Sequence, residues 1–340
     1  ATGHVSAQER LSKTLDSIAK EKKTRLDYAK IYLLDYAPDA LNQKPEAATD
    51  LINSINQGAL FTIYFGHGSI SDWAGEGLMK PSYIDRLSNQ GRYTIISSFS
   101  CTVGRFDKGD EMSLSESFVA APKKGAIASI GATRETFASY NENFARALFS
   151  NSIFKENQFF GDAYWDAKGR HKMSYSRQRY NNERYALLGE PVLSIPSSNL
   201  SVKLDQQLDT IQALDKIELS GTVSEMSSGK IYINVREGAY TKRLYDKANW
   251  LNVSFPGSPI YSETVNVKQG QFNTGFITPK KMAFGDTNAQ VFAWAYSENN
   301  PYVGTVLMDQ IVVSGVSSYA DSINDQMPPE ISIQTCLASS

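Results

Sequence analysis

Two kinds of hydrophobic pattern alternate in the first half of the chain, and only one continues into the second. Over residues 8–26, Leu11, Leu15, Ile18 and Ala19 recur at three- and four-residue intervals among charged positions, the spacing of a surface helix with one buried stripe. KIYLLDY at 30–36 reads as a strand. Residues 45–55 form another helix, with Ala48, Leu51, Ile52 and Ile55 on one face and Gly58 as its terminating cap. The run 60–65 is short, continuously apolar and rich in β-formers, as expected of a strand covered on both faces, and it leads straight into Gly66-His67-Gly68. A helical turn or two at 81–90 and a second buried strand, YTIISSF at 93–99, complete a parallel strand-helix-strand unit. Ser113 and Glu116 then form a capping box for a helix over 114–121, followed by a strand over 125–130 and helices over 141–149 and 161–168. This alternation predicts an α/β domain built on a mostly parallel sheet with flanking helices.

After Leu187-Leu188-Gly189-Glu190-Pro191 the helical period disappears, and Pro196-Ser197-Ser198-Asn199 is linker chemistry. The chain therefore divides into residues 1–197 and 198–340. Runs at 216–223, 230–236, 251–255, 263–268, 271–277, 290–296 and 306–313 are short, β-rich and separated by Gly, Pro, Asn and Ser. In one of them Ile231, Ile233 and Val235 alternate with polar residues, the two-residue period of a half-buried strand. Seven such runs predict an immunoglobulin-like β-sandwich.

Composition narrows the function. With 340 residues, 41% hydrophobic and 21% charged, the chain can bury two cores, which excludes a disordered or fibrous protein. Thirty-four Lys and Arg against 36 Asp and Glu leave a formal charge of -2, so no field gathers phosphates and nucleic acid is excluded as a partner. Apolar stretches fall far short of the roughly 20 residues that span a bilayer. Cys101 and Cys336 lie 235 positions apart, too few for a disulfide scaffold. His4, His67 and His171 have no second His or Cys at ligand spacing, which argues against zinc. The chain starts at Ala1 with no signal-like segment, and is read as a piece whose leader lies outside it.

In a parallel sheet, loops at the carboxyl edge of the strands are where open α/β folds place their sites. His67 and Cys101 each occupy the first turn after such a strand, and the 34 positions between them fit one helical crossover. A thiol with an ordinary pKa near 8.5 is only a few per cent thiolate at neutral pH; a neighbouring imidazole raises that fraction and can protonate a leaving group. The glycines beside His67 permit a sharp turn and let a substrate carbonyl approach the Gly68 N–H, which with the Cys101 N–H makes an oxyanion hole. Taken singly, a Cys at a strand end is ordinarily a small buried hydrophobe and a His beside Gly a turn residue. Trp73 on the His67 loop is placed in a substrate cleft or on the core, and Arg105 and Phe106 in the pocket wall. Asp107, Asp110, Glu111 and Glu116 either hold a calcium ion or form a solvated loop leading into a capped helix. Asp72, Glu76, Asp107 and Asp110 are the acids that would fill the base of a basic-residue pocket. Gly66-x-Gly68 is not a dinucleotide loop, because position 71 is Ser and no ribose-binding acid is placed.

Tyr64-Phe65-Gly66-His67-Gly68-Ser69 with Trp73-Ala74, then Ser100-Cys101-Thr102-Val103-Gly104-Arg105-Phe106-Asp107, and finally Leu187-Leu188-Gly189-Glu190-Pro191 resemble the gingipain family of cysteine peptidases. Within it, the likeness is to the sortase branch that serves type IX secretion. The resemblance implies a caspase-like fold, Cys101 as nucleophile and His67 as general acid/base. It also implies an exported protein at the outer face of a bacterial outer membrane, beside a β-barrel partner, with a polypeptide substrate and a lipopolysaccharide acceptor. An acidic residue that orients the histidine in the family would fall before Ala1, and Asp35 is a substitute for it. The competing reading is a catalytically silent caspase-like scaffold that binds partners at the secretion machinery.

Overall fold

The computed structural model describes residues 2–20, 26–151, 153–154, 158–169, 176–195, 198–246, 249–283, 288–297 and 302–322; His171 and Cys336 lie outside them. The α/β part runs α1 (Thr2–Lys20), α2 (Pro45–Gly58), β1 (Phe61–Phe65), α3 (Pro81–Ile84), β2 (Thr94–Phe99), α4 (Leu114–Ala120), β3 (Ala126–Ala132), α5 (Ala138–Asn151), α6 (Phe160–Gly169), α7 (Ser176–Glu183) and β4 (Tyr185–Gly189). Its sheet has the order β1-β2-β3-β4, with β1, β2 and β3 parallel and β4 antiparallel to β3. Every residue of β2 is buried, as a central strand covered on both faces must be.

Helices cover the two faces of this sheet with separate cores. On one side Leu11 and Ile18 of α1, Phe144, Leu148 and Phe149 of α5 and Phe160 and Tyr164 of α6 pack on Ile95, Phe99, Ile130 and Tyr185. On the other, Leu51, Ile52 and Ile55 of α2 and Leu114 and Phe118 of α4 pack on Tyr64, Ile96 and Trp73. Glu142, almost wholly buried, ties α1 to α5 by accepting from Arg10 and Arg146, each at 2.6 Å.

The segment 30–36 is not a strand. It passes through a short 3-10 turn at Leu33–Asp35, because its apolar residues divide between two cores. Ile31, Leu33 and Tyr36 pack beneath α2, whereas Tyr32 stacks edge-on against Phe255 at 5.6 Å. An alternating pattern that serves two neighbours has no single sheet to join.

The second region contains β5 (Ser198–Leu200), β6 (Val202–Leu204), β7 (Thr210–Ala213), β8 (Lys216–Val223), β9 (Ser228–Arg236), β10 (Tyr240–Asp246), β11 (Asn249–Phe255), β12 (Pro259–Lys268), β13 (Gln271–Ile277), β14 (Ala289–Tyr296) and β15 (Val303–Val316). One hydrogen-bonded path runs β5-β15-β14-β9-β12-β13-β8-β6, with β7 beside β15, around a core of Ile217, Leu219, Ile231, Ile233, Val235, Val291 and Ile311. The path starts and ends in one short segment: Leu200 pairs with β15 and Val202 with β8. The sheet thus curls until a single segment joins both edges, which leaves neither edge unpaired there. β10 and β11 form a separate hairpin. The two regions are joined through the segment after α1, where Asp27 accepts from Arg236 Nε at 3.1 Å and Asn234 Nδ2 at 2.6 Å, and Asp35 pairs with Lys242 at 2.7 Å.

Candidate active site

Strand register decides where His67 and Cys101 stand. Phe65 at the end of β1 is the partner of Phe99 at the end of β2, so His67 and Cys101, each two residues further on, occupy equivalent places at the same carboxyl edge. Parallel neighbours lie about 4.8 Å apart. The pairing continues one step past the strands, with the Gly66 N–H donating to Phe99 O at 3.4 Å.

Beyond that point each loop is built separately. The His67 carbonyl accepts from the Tyr64 hydroxyl at 2.5 Å and from the Ala74 N–H at 3.0 Å, and Gly68 bridges Trp73. Burial pushes the Tyr64 hydroxyl well above the usual tyrosine range, so it remains a donor. Trp73 is fully buried, stacked on Tyr64 at 4.7 Å, and its Nε1 donates to Ser98 Oγ at 3.1 Å. It is a core residue that props the loop, and the expectation of a cleft-lining indole is corrected. The apolar ring and its single donor are both satisfied by the interior.

Cys101 opens a tighter turn. The Val103 N–H donates to Cys101 O at 2.7 Å, two residues back, around Thr102 at φ 52°. A γ-turn of this hand is rare and strained, and a β-branched residue in the left-handed region costs about 1–3 kcal/mol. The surroundings enforce it: the Thr102 N–H donates to Arg134 O at 3.3 Å and the Gly104 N–H to Ala132 O at 2.9 Å, annealing the turn to the continuation of β3. Only glycine fits at 104, where a Cβ would stand 2.5 Å from Gly131 O.

The two loops then meet. A Cβ placed on Gly68 would lie 2.7 Å from Ser100 Oγ, 2.8 Å from Val103 Cγ1 and 3.0 Å from Cys101 O. The first amides of α4 hold both loops at once, Leu114 N–H donating to Ile70 O at 2.7 Å and Ser115 N–H to Val103 O at 2.9 Å. These are the donors that a helix start leaves unsatisfied, and the capping box read from Ser113 and Glu116 closes the remainder. Neither the Gly68 N–H nor the Cys101 N–H has a hydrogen-bond partner among the described residues.

The Cys101 sulfur is half-buried and lies against a residue that sequence reasoning missed. Thr136, four positions after β3, points its N–H at the sulfur from 3.3 Å, and the thiol donates to Thr136 O at 3.5 Å. No motif announces Thr136; the loop length alone brings it there. His67 is exposed.

The acids do not converge. Asp107 pairs with Arg134 at 2.5 Å, Glu111 with Lys108, and Glu116 with the Ser113 N–H at 2.9 Å. Hydrogen bonding from Arg134 holds the Asp107 carboxyl below the usual carboxylate range. Among the described residues no group of three His, Cys, Asp or Glu side chains gathers to hold a metal, so the calcium expectation for Asp107, Asp110, Glu111 and Glu116 finds no cage. Asp72 is occupied by Ser69 and Ser71 of its own loop, at 3.1 and 2.9 Å. Asp35 lies in the 3-10 turn and pairs with Lys242 at 2.7 Å. Arg105 is half-exposed, its Nε 4.0 Å from Asp107, and Phe106 is exposed beside it.

Several known proteins are similar to the chain. Among solved structures, the Arg-specific cysteine proteinase gingipain R is 15% identical with a TM-score of 0.46, covering 91% of this chain and 62% of its own. Dimeric latent PorU from Porphyromonas gingivalis is 20% identical with a TM-score of 0.35, covering 60% of this chain and 21% of its own. This chain thus spans under two thirds of either. No curated protein matches it. The model of peptidase family C25 matches residues 2–196, more than half of the chain. The chain belongs to peptidase family C25.

Proposed function

We propose that the chain is a cysteine peptidase with Cys101 as nucleophile and His67 as general acid and base. The observation that carries this is the shared register of the two strand tips, with Gly68 packed on the Cys101 turn. The Cys101 sulfur attacks a peptide carbonyl carbon while His67 takes the thiol proton, and the oxygen that becomes negative is received by the unpaired N–H groups of Gly68 and Cys101. His67 then passes its proton to the departing amine as the carbon–nitrogen bond breaks, leaving a thioester on Cys101. Water returns the carboxylate; a bound amine takes the acyl group instead.

The second outcome fits the sortase-like role that the sequence resemblance implies: trimming secreted polypeptides and transferring them to a lipopolysaccharide acceptor, at the outer face of an outer membrane beside a β-barrel partner. Support for it is the residue likeness around His67 and Cys101 together with family membership. The α/β part would then be the caspase-like catalytic domain, residues 1–197. The mostly antiparallel strands around one core in residues 198–340, with β5 and β7 parallel to β15, support reading this region as an immunoglobulin-like sandwich.

Intact-mass measurement of the chain incubated with candidate cargo peptides tests the reading. An acyl adduct on the wild type, absent from Cys101→Ala, is the expected result, and the processed cargo carries either a free carboxylate or an added amine. Cargo processed equally well by Cys101→Ala would reject the peptidase reading and favour the scaffold.

A further inference from the structure

Behind the Cys101 sulfur stands a set of buried amides that core packing does not require. Thr136 sits in the loop between β3 and α5, with no ladder partner to fix it. Two asparagines do so instead. Asn141 Nδ2, on α5, donates to Thr136 Oγ1 at 2.9 Å; Asn181 Nδ2, on α7, donates to Asn141 Oδ1 at 3.0 Å; and the Phe137 N–H donates to Asn181 Oδ1 at 2.9 Å. The chain of bonds begins at the Thr136 side chain and returns to the next amide along, so the peptide between Thr136 and Phe137 is gripped from both ends. Asn141 is 3% exposed and Asn181 1%. Each amide left unpaired in such a place would cost about 1–3 kcal/mol, and an aliphatic side chain would fill the space without that demand.

We propose that Asn141 and Asn181 are positioning residues for Cys101, holding the Thr136–Phe137 peptide so that the Thr136 N–H keeps facing the sulfur. Once the thiol proton leaves, that N–H is a fixed donor to the anion, already placed and needing no reorganisation. The proposal rests on Cys101 as the reacting thiol; its test reads the sulfur directly and does not need peptide turnover. Tyr185 on β4, whose hydroxyl burial keeps protonated, is an ionisable neighbour of Cys101; the other titratable and charged groups on the loops around it are His67 after β1 and Arg105 and Arg134 on the flanking turns.

Iodoacetamide alkylation of Cys101, followed by peptide mapping from pH 5 to 10, is compared for wild type, Asn181→Leu and Thr136→Val. Asn181→Leu removes both bonds of the outer asparagine, whereas Thr136→Val keeps the backbone N–H and removes the hydroxyl that Asn141 holds and that itself stands 4.0 Å from the sulfur. Asn143→Ala, which breaks a 3.0 Å bond to Gln178 in the same polar cluster without touching Thr136, is the control. The expected result is a midpoint raised by about half to one pH unit in Asn181→Leu, a smaller rise in Thr136→Val and none in Asn143→Ala, converting to a fall of roughly three- to tenfold in rate below the midpoint. Should Asn181→Leu fail to fold, Asn181→Ala, which removes the same two bonds, decides. Superimposable profiles for folded variants and wild type overturn the proposal. A shifted profile in a chain that processes no cargo would leave the positioning role standing and remove the peptidase reading.

Discussion

Replacing Gly68 with alanine probes the packing of the two loops with one methyl group. Its Cβ would fall 2.7 Å from Ser100 Oγ, 2.8 Å from Val103 Cγ1 and 3.0 Å from Cys101 O, against ordinary van der Waals distances of about 3.5 Å. Ser100 and Val103 are buried and the third atom is backbone already bonded to the Val103 N–H, so the His67 loop has to retreat by roughly 0.5–0.8 Å, the difference between those distances. Overpacking of this size costs about 1–3 kcal/mol of stability. Since a misplacement of about 1 Å at a reacting pair costs on the order of a hundredfold, kcat/KM should fall roughly ten- to a hundredfold, a larger loss than the stability change accounts for at a temperature where the variant stays folded. Gly75→Ala supplies the control on the same loop, where nothing lies within 4 Å of the added Cβ. Cleavage of cargo peptides and thermal unfolding are measured for both variants. Wild-type kcat/KM in Gly68→Ala would refute the reasoning, because it would mean that the two loops need not touch.

Three other outcomes follow from the packing and the charges. Trp73→Ala should cost about 3–5 kcal/mol in thermal or denaturant unfolding, as removal of a buried aromatic does, and a cost near zero would mean that the indole is a cleft residue after all. Arg236→Met strands Asp27 in a site where both side chains are mostly buried, 12% and 19% exposed, and should destabilise the joined regions by about 3 kcal/mol, read as a lowered or split unfolding transition. Because the folded Asp107 carboxyl binds its proton more weakly than the unfolded one, its contribution is complete above about pH 4 and is lost as acid protonates the folded carboxyl; the Tm advantage of wild type over Asp107→Asn should therefore hold down to about pH 4 and shrink progressively below it, and an advantage that persisted unchanged down to about pH 2 would contradict the assignment.

Where a residue's neighbours are few and close in sequence, its place was legible. The strand before His67, the strand before Cys101, the α4 capping box and the helix at α2 all emerge from apolar period and cap chemistry, within one to three residues of their observed bounds. The segment 30–36 misled because Tyr32 and Leu33 face different cores, which a one-dimensional alternation cannot distinguish from two faces of a sheet. β5, β6 and β7 are three or four residues long and β10 is dominated by Lys, Arg and Tyr, so their pairing depends on partners supplied by β15, β8 and β11 rather than on their own composition. Trp73 was legible as a loop residue facing either a cleft or the core, and the sequence left that choice open because its direction is set by the stack on Tyr64. Thr136 and its asparagines lie 35 to 80 positions from Cys101 and carry no motif; only the meeting of β3, α5 and α7 at the end of β2 brings them together.

The central claim is that the sulfur of Cys101 and the imidazole of His67, borne on adjacent strand tips, exchange a proton. Alkylation of Cys101 at pH 6, compared between wild type and His67→Ala, tests it without assuming any substrate. A rate at least tenfold lower in the variant, with the two rates converging above about pH 9 where free thiols ionise unaided, is the predicted result. Equal rates at pH 6 in two equally folded proteins would contradict it.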